Sequence, residues 1–458
     1  MYLDSHMQHL LISLFFTAFL LGSDYLISQH TSWLLAGVFW LLILFVTLFY
    51  QRYLYLYALL LIFGMLHWFF FSYFQRPITS VDIHLFLTHT EESWESFYSM
   101  IHLFVLPLIL FLTGVIIMVL LSRVHLTPYP LKGWIKHPLL LLLVFLNLNS
   151  SMGLQLLSCL CSLPSSPSQH NLSKTPPLYP QRESDYHIVL ILGESMKYSK
   201  EVASKLHSLG FFHKKIHAGA TNTDVAIPLL LNHQTNPLAL DPHDPNQLFA
   251  LAQRNRFKTS FVSIQTPKSL QYILPYLQPN HLDYCKCYSK EERKPLFDLR
   301  LMEALQETDW QRKNFIVLQQ IGEHSPYHYF AGTPSPNPLQ NYTRSIEYSF
   351  KLYQQIYAYL QTIHQKFILI YVSDHGEFTG EGGHWGHNSF DPIVYEVPMF
   401  IIANIPLPSG YQAIRSQYDL SGLLIYLLGY GDHLQYTQGE SIVNGTMLSR
   451  EDGFIRVK

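Results

Sequence analysis

Residues 373–377 read Ser-Asp-His-Gly-Glu, and His384 and His387 follow in the next stretch of chain. They come directly after the apolar and aromatic run 366–372, which predicts a buried strand. Carboxylate oxygens and imidazole nitrogens are ligands that zinc accepts in proteins. An adjacent Asp and His at the end of a strand, with further His nearby, therefore predict a metal site held by a rigid sheet. This interpretation favours an enzyme over a passive membrane protein.

Further candidate ligands follow other apolar segments. Glu194 comes after the run 187–192, His324 follows 314–321, and Thr223 stands just ahead of an apolar helical run. A Thr at a helix N-terminus lies where backbone N–H groups and the helix dipole favour an anion. A nearby zinc ion would make such a hydroxyl a nucleophile. Taken singly, Thr223 is more readily a helix N-cap, and Glu194 is alternatively a solvated loop residue. Their joint placement beside successive strands is what favours a shared site.

The elements that must position these residues alternate along the chain. Helical patterns occupy 244–254 and 345–363. The predicted strands lie between or beside them: 187–192, 259–264, 314–321, 366–373 and 398–403. This alternation predicts an α/β domain with a mainly parallel sheet. Ligands bind at the C-terminal strand ends of such sheets, which is where the candidate residues fall.

The first third of the chain is almost free of charged residues. It contains five apolar runs, each close to the ~20 residues that a membrane-spanning helix needs: 8–27, 32–50, 53–74, 100–121 and 137–158. The first run is alternatively a cleaved signal peptide, but it lacks a basic start and four more runs follow it. We therefore predict a five-helix transmembrane domain over 1–158.

The distribution of basic residues predicts the orientation in the membrane. Arg52 and the loop that contains Arg123, Lys132 and Lys136 face the cytoplasm, because the loop 75–99 between them is acidic. With five spans, the rest of the chain lies outside, in the periplasm of a Gram-negative bacterium. We predict a Ser- and Pro-rich linker at 159–186 and a catalytic domain at 187–458. The net charge of -2 gives no reason to expect a nucleic-acid partner.

These motifs together resemble the alkaline phosphatase/sulfatase superfamily, and within it the membrane-bound phosphoethanolamine transferases that modify lipid A. That family has five transmembrane helices, a linker and a periplasmic sulfatase-like domain, so the resemblance covers the whole chain. The residues that match its metal, nucleophile and histidine motifs are Gly193-Glu194-Ser195, Thr221 with Thr223 and Pro228, Glu323-His324-Ser325-Pro326, residues 373–377, and His387.

The resemblance implies a zinc-dependent transfer through a covalent threonine intermediate. One zinc ion, or two, is held by a set of four residues: Glu194, Thr223, Asp374 and His375. Thr223 then attacks the phosphorus of phosphatidylethanolamine and releases diacylglycerol. His324 and His387 bind the phosphoryl oxygens, hold a second zinc ion or protonate the leaving alkoxide, and Glu377 binds the ethanolamine ammonium group.

Two further substrate contacts are implied by the resemblance. His84, Thr88 and Glu92 are similar to the Asn-x-x-x-Thr-x-x-x-Glu pattern of the family's headgroup-binding loop, with His in place of Asn. An interfacial acidic loop is the alternative. Lys286 lies between Cys285 and Cys287 and resembles the family's disulfide-flanked Lys, although the spacing differs. A Cys-x-Cys pair rarely closes an unstrained bridge, and a metal or redox site is its alternative interpretation.

We therefore predict a monomeric inner-membrane phosphoethanolamine transferase that contacts membrane lipids. Its donor is phosphatidylethanolamine, and its acceptor is lipid A or another envelope glycan such as the lipopolysaccharide core. One rival is a phosphoglycerol transferase, or a sulfate or phosphate ester hydrolase, of the same superfamily. Another is a non-catalytic, lipid-sensing membrane regulator. Many lipid A enzymes flank the nucleophile with cysteines, and the corresponding positions here are Gly219 and Leu229.

Overall fold

The computed structural model of the protein describes residues 65, 68–73, 94, 97–98, 100–122, 176–431, 441–444 and 454–457. The chain divides into two compact units, of which the first comprises residues 1–90, 100–165 and 381–385. The second comprises residues 91–99, 166–380 and 386–458. The predicted spans 8–27, 32–50 and 137–158 lie outside the described residues, as do Thr88 and Glu92.

In the first unit, the predicted span 100–121 is helical. A 3-10 turn, Ile101–Phe104, leads into helix α1, Val105–Ser122. Helix α1 has 18 residues, and apolar side chains such as Ile109 and Ile116 are exposed along it. Within the described ranges, none of the helices combines the length and the apolar character that crossing a membrane requires.

The second unit is built on a central β-sheet. In chain order, the described strands are β1 (His187–Gly193), β2 (Phe212–His217), β3 (Lys258–Ser263), β4 (Tyr284–Cys287), β5 (Asn314–Gln319), β6 (Phe367–Ser373), β7 (Phe378–Thr379), β8 (Trp385–Gly386), β9 (Glu396–Ala403), β10 (Ser441–Asn444) and β11 (Phe454–Val457). Seven of them form one sheet in the order β2-β9-β6-β1-β5-β3-β4. Only β9 runs against its neighbours in this sheet, so the prediction of a mainly parallel α/β sheet is confirmed.

Helices cover both faces of this sheet. They are α2 (Lys200–Ser208), α3 (Thr223–Leu231), α4 (Leu248–Arg254), α5 (Leu274–Leu277), α6 (Leu301–Gln306), α7 (Pro338–Thr362), α8 (Pro392–Tyr395) and α9 (Gln417–Leu427). Alternate residues of β1, such as Ile188 and Leu190, belong to the core that includes side chains of α3, α4 and α9. On α7, Tyr353 packs against Tyr371 of β6. Because both faces are covered, the central strands are continuous apolar runs.

The strand register aligns the ends of three neighbouring strands. Gly193 of β1 pairs with Ser373 of β6, and Leu192 pairs with Gln319 of β5. The residues that follow these strands therefore emerge at one edge of the sheet. Strands β2 and β4 were not predicted, because each is short, lies at a sheet edge and contains polar residues.

The last part of the predicted linker is attached to the second unit. The backbone N–H groups of Gln181 and Arg182 both donate to the carbonyl oxygen of Gly429, at 2.8 and 3.1 Å. Arg254 Nη1 donates to the carbonyl of Leu178 at 2.6 Å. A Cβ on Gly429 would lie 2.4 Å from the carbonyl oxygen of Arg182, so a side chain there would displace this segment. Residues 176–186 thus belong structurally to the domain that they precede.

Candidate active site

Four side chains meet at the edge where β1 and β6 end. Thr223 Oγ1 lies 2.6 Å from Asp374 Oδ2 and 3.1 Å from His375 Nε2. It also lies 3.2 Å from Glu194 Oε2. The other three residues are at most 1% exposed. The structure thus brings together all four residues that the sequence analysis assigned to a metal.

Ser195 connects the two carboxylates of this cluster. Its hydroxyl donates to Glu194 Oε1 at 2.9 Å, and its backbone N–H donates to Asp374 Oδ1 at 3.0 Å. Its φ of 57° lies in the left-handed region, which a non-glycine residue seldom occupies. Gln265 Nε2 donates to the other oxygen of Glu194 at 2.6 Å. Sequence analysis gave no role to the side chains of Ser195 and Gln265.

The ring of His375 is oriented by its own loop. Its Nδ1 lies 2.9 Å from the carbonyl oxygen of Gly376, so Nδ1 carries the proton and donates, while Nε2 presents a lone pair to the cluster. Burial lowers the pKa of His375, since it disfavours the charged imidazolium. A neutral imidazole with a free Nε2 is the form that ligates metals.

Thr223 is the first residue of helix α3, and it is not the cap of that helix. The side chain of Asn222 accepts a hydrogen bond from the N–H of Val225 at 3.1 Å and is the N-cap. The N-cap interpretation of Thr223 is therefore wrong. Its hydroxyl remains available to the cluster, at the positive end of the helix dipole.

The loop before Thr223 is held from two sides. Gln417 of α9 accepts from the N–H of Gly219 at 2.8 Å through Oε1. Asn444 of β10 accepts from the N–H of Thr221 at 2.9 Å through its carbonyl, and its side chain donates to the carbonyl of Gly219. These contacts fix the approach of the chain to the helix start.

Glu377 and His387 form a second group beside the first. Glu377 Oε2 accepts from His387 Nδ1 at 3.0 Å, and Oε1 accepts from the Tyr327 hydroxyl at 2.7 Å. Burial alone would raise the pKa of Glu377, but the hydrogen bond and charge of His387 bring the pKa below its usual value. The His387 ring centroid lies 4.3 Å from that of His375. Both oxygens of Glu377 thus have partners within the protein, and its predicted contact with ethanolamine stays a prediction.

Two other candidates lie elsewhere in the second unit. His324 is half-buried, with Nδ1 2.5 Å from the carbonyl oxygen of Ser325 and its ring centroid 6.2 Å from that of Tyr329. Lys286 lies on edge strand β4, with Nζ 4.3 Å from the centroid of the Tyr288 ring. The contacts described for these two side chains do not reach the four-residue cluster, so their roles stay predictions. Cys285 and Cys287, on either side of Lys286, are not disulfide-bonded.

The chemistry of the donor set fits a cation such as zinc. Burial, and then repulsion from Asp374, raise the pKa of Glu194 well above its usual value. Among the contacts described for Glu194 and Asp374, none involves Lys or Arg. In a tetrahedral zinc site with bonds of ~2.0–2.1 Å, ligand atoms lie about 3.3 Å apart. The spacings between Thr223, His375 and the two carboxylates range from 2.6 to 3.6 Å.

Comparison with known proteins identifies the family of the second unit's domain. The model of a family described as Sulfatase matches residues 186–430. The chain is 29% identical over 161 residues to the low-salt glycan biosynthesis sulfotransferase Agl7 of Haloferax volcanii, which covers 31% of this chain and 40% of that protein. It is 29% identical over 92 residues to the phosphoethanolamine transferase EptA of Helicobacter pylori, which covers 19% of this chain and 18% of that protein. Less than half of either relative is therefore matched.

A solved structure is similar in fold over a larger part of the chain. This structure is the integral membrane protein lipooligosaccharide phosphoethanolamine transferase A (EptA) from Neisseria meningitidis. The match has a TM-score of 0.59 at 14% sequence identity, and it covers 93% of this chain and 95% of the other. At this identity, the likeness establishes a shared fold.

Proposed function

The chain belongs to the sulfatase family, and we propose that it is a phosphoethanolamine transferase that works through a covalent intermediate on Thr223. One observation carries the proposal. The Thr223 hydroxyl, which does not cap its helix, lies at the positive end of α3 and within 3.3 Å of Glu194, Asp374 and His375. A nucleophile in that position has an anion-binding helix start on one side and a set of metal ligands on the other.

The residues that would hold zinc are Glu194, Thr223, Asp374 and His375. When bound there, zinc would favour ionisation of the Thr223 hydroxyl and stabilise the charge that develops on the phosphoryl oxygens. His375, Glu377 and His387 offer a second group of ligand atoms within 4.8 Å of one another. We assign Glu377 and His387 to proton transfer instead of a second ion, because they hydrogen-bond to each other and His375 Nε2 already faces the first group.

The protein's own side chains supply the nucleophile and the proton for the leaving group. Thr223 Oγ1 donates its proton towards Asp374 Oδ2 and attacks the phosphorus of phosphatidylethanolamine. The bond from phosphorus to the diacylglycerol oxygen breaks, and phosphoethanolamine is left on Thr223. His387 Nδ1 donates to Glu377, so an imidazolium held by this carboxylate presents its Nε2–H, which protonates the departing alkoxide and leaves a neutral imidazole. An acceptor hydroxyl, which loses its proton to His387 Nε2, or an acceptor phosphate then attacks the same phosphorus. The bond to Thr223 breaks, and Thr223 takes its proton back from Asp374.

We propose that this chemistry takes place at the periplasmic face of a bacterial inner membrane, with lipid A or another envelope glycan as acceptor. The apolar runs of the first third and the fold likeness over 93% of the chain support a membrane-anchored enzyme. Donor and acceptor are both amphiphiles, so a catalytic domain tethered near lipid headgroups meets them at high local concentration. Thr88 and Glu92 remain the candidates for a headgroup contact from the membrane side.

Mass spectrometry of the peptide that contains Thr223 tests the proposal. The full-length protein in detergent is incubated with phosphatidylethanolamine, without acceptor, and digested. We expect an adduct with the mass of phosphoethanolamine on Thr223, a reduced amount in Thr223→Ser, which keeps a hydroxyl, and none in Thr223→Ala. Transfer by Thr223→Ala at the rate of the unmodified protein would refute the nucleophile assignment.

The same measurement separates the rival functions. The 29% identity to a protein named as a sulfotransferase, over 161 residues, favours sulfate chemistry as the second candidate. A sulfated Thr223 after incubation with a sulfate ester would support sulfate chemistry. A phosphoglycerol adduct formed from phosphatidylglycerol would support a phosphoglycerol transferase. A non-catalytic regulator would give no adduct with any of these donors.

A further inference from the structure

Each oxygen of Glu194 accepts a hydrogen bond from a neutral donor. One donor is the next residue in the chain, and the other is distant in sequence. Ser195 Oγ donates to Oε1 at 2.9 Å, and Gln265 Nε2 donates to Oε2 at 2.6 Å. Gln265 follows β3, which is separated from β1 by strand β5. It is 71 residues from Glu194 in the chain and only 6% exposed. Water therefore competes little for this hydrogen bond.

These two donors fix the rotation of the carboxylate. The terminal torsion of a glutamate is broad and has no strong preference of its own. In the structure, Thr223 Oγ1 is nearly equidistant from the two oxygens of Glu194, at 3.3 and 3.2 Å. The carboxylate thus presents both oxygens to Thr223, one of the residues that would hold zinc. Without Gln265, Oε2 would lose its shortest described hydrogen bond and keep only the longer contact with Thr223.

Gln265 is itself held in place before any ligand arrives. Its backbone N–H donates to Ser263 Oγ at 3.0 Å, and the Ser263 hydroxyl donates to Gln319 Oε1 at 3.0 Å. The amide nitrogen of Gln265, as the donor, must face Glu194, because the amide oxygen would repel a carboxylate at 2.6 Å. The contact is therefore preformed and has a defined direction.

We propose that Gln265 is a positioning residue that orients Glu194 and thereby sets the affinity of the site for zinc. The inference rests on the proposed function, since it concerns the same metal site. Groups that hydrogen-bond to metal-ligating side chains typically change metal affinity by 10–100-fold when they are replaced. Gln265 acts only through Glu194, and no contact with substrate is assigned to it.

Zinc affinity, measured by competition with a chromogenic chelator on the full-length protein in detergent, tests this role. Gln265→Met keeps the length of the side chain and removes the donor, and Gln265→Asn keeps an amide that is too short to reach Glu194. We expect both to bind zinc 10–100-fold more weakly than the unmodified protein. Gln278→Met is the matched control, because Gln278 is also a buried glutamine whose Nε2 donates one short hydrogen bond, to the carbonyl oxygen of Asp244 at 2.7 Å, and no contact described for it reaches Glu194.

The thermal midpoint of the zinc-free protein separates positioning from a general structural role. We expect Gln265→Met and Gln278→Met to lower it by similar amounts, while only the Gln265 variants lose zinc affinity. Unchanged zinc affinity in the Gln265 variants would overturn the inference, even where the Thr223 adduct forms and the proposed function stands. If the Gln265 variants bind zinc more weakly but the unmodified protein forms no Thr223 adduct, the positioning role stands and the proposed function is rejected.

Discussion

Gln417 joins the two segments that carry Thr223 and its nearest carboxylate, that of Asp374. Its Nε2 donates to the carbonyl oxygens of Ser373 and Asp374, at 2.8 and 2.9 Å. Its Oε1 accepts from the N–H of Gly219, at the start of the loop that leads to Thr223. Gln417 is 1% exposed, so water does not substitute for these bonds. One buried amide thus sets the separation of two loops.

Gln417→Glu tests this connection with almost no change in shape. The carboxyl group retains an acceptor for Gly219, but it loses the two N–H donors and places an oxygen against two buried carbonyl oxygens. Each buried acceptor left without a donor costs about 1–3 kcal/mol, and a protonated Glu replaces one donor. We therefore expect a loss of roughly 2–3 kcal/mol in the free energy of unfolding. Since a misplacement of ~1 Å in a catalytic group lowers rates by about 100-fold, we expect a comparable loss of kcat.

The assay combines kinetics of phosphoethanolamine transfer with hydrogen exchange of the amides of β6. Gln412→Glu is the matched control, because Gln412 is exposed in a surface turn and the same change there should stay within ~0.5 kcal/mol. If Gln417→Glu shows the transfer rate and amide protection of the control, the loops are positioned by other contacts, and our reasoning about Gln417 fails.

Two other substitutions test the packing of the site and the pH dependence of stability. A Cβ at Gly376 would lie 2.2 Å from the carbonyl oxygen of Ile393, so Gly376→Ala must displace the Asp374–His375 loop. We expect this variant to lose about 100-fold in kcat in steady-state transfer assays. Gly422→Ala is the control and should leave kcat unchanged, because its Cβ would meet only His233 Cε1, at 3.5 Å. Burial lowers the pKa of His233 from 6.5 to about 4, so on acidification the unfolded chain takes up a proton before the folded protein does. Stability should therefore fall as the pH drops from 6.5 to about 4, by about 3 kcal/mol in total. Denaturant titrations across this range should show less pH dependence in His233→Asn, and an equal dependence would contradict the assignment.

The strands that the sequence predicted are those at the centre of the sheet. Runs such as 187–192 and 366–373 are continuous and apolar because helices cover both faces, and their bounds agree closely with β1 and β6. Edge strands give no such signal. The β2 sequence Phe-His-Lys-Lys-Ile-His is mostly polar, and its Lys residues are typical of an edge that must not pair with another chain. Helix α7 begins earlier than the predicted residue 345, at a cap formed by Asn337 and a Pro at its first position.

The four cluster residues could be predicted because each lies at the end of a predicted strand or the start of a predicted helix, and because each matches a motif of the family that the sequence resembles. The residues that hold them in place could not. Gln265 acts on a residue 71 positions away, and Gln417 on residues 43 and 44 positions away. A buried glutamine in a polar stretch has no periodic pattern, and its partner is determined by strand order and register. Information of that kind becomes available only when the sheet topology is known.

Two buried glutamates in the site have pKa values that are shifted in opposite directions. Glu194 and Glu377 are each 1% exposed, yet the pKa of Glu194 is raised and that of Glu377 is lowered. Burial raises both, so the difference arises from their partners: Glu194 has neutral donors and the carboxylate of Asp374, whereas Glu377 has His387. The raised pKa of Glu194 reflects a burial cost and a negative potential from Asp374 that no described cation offsets, so a bound cation would be stabilised there. Because pairs of acids with divergent pKa values mark distinct chemical roles, this difference supports our proposal that zinc binds beside Glu194 and that His387, held by Glu377, delivers the proton.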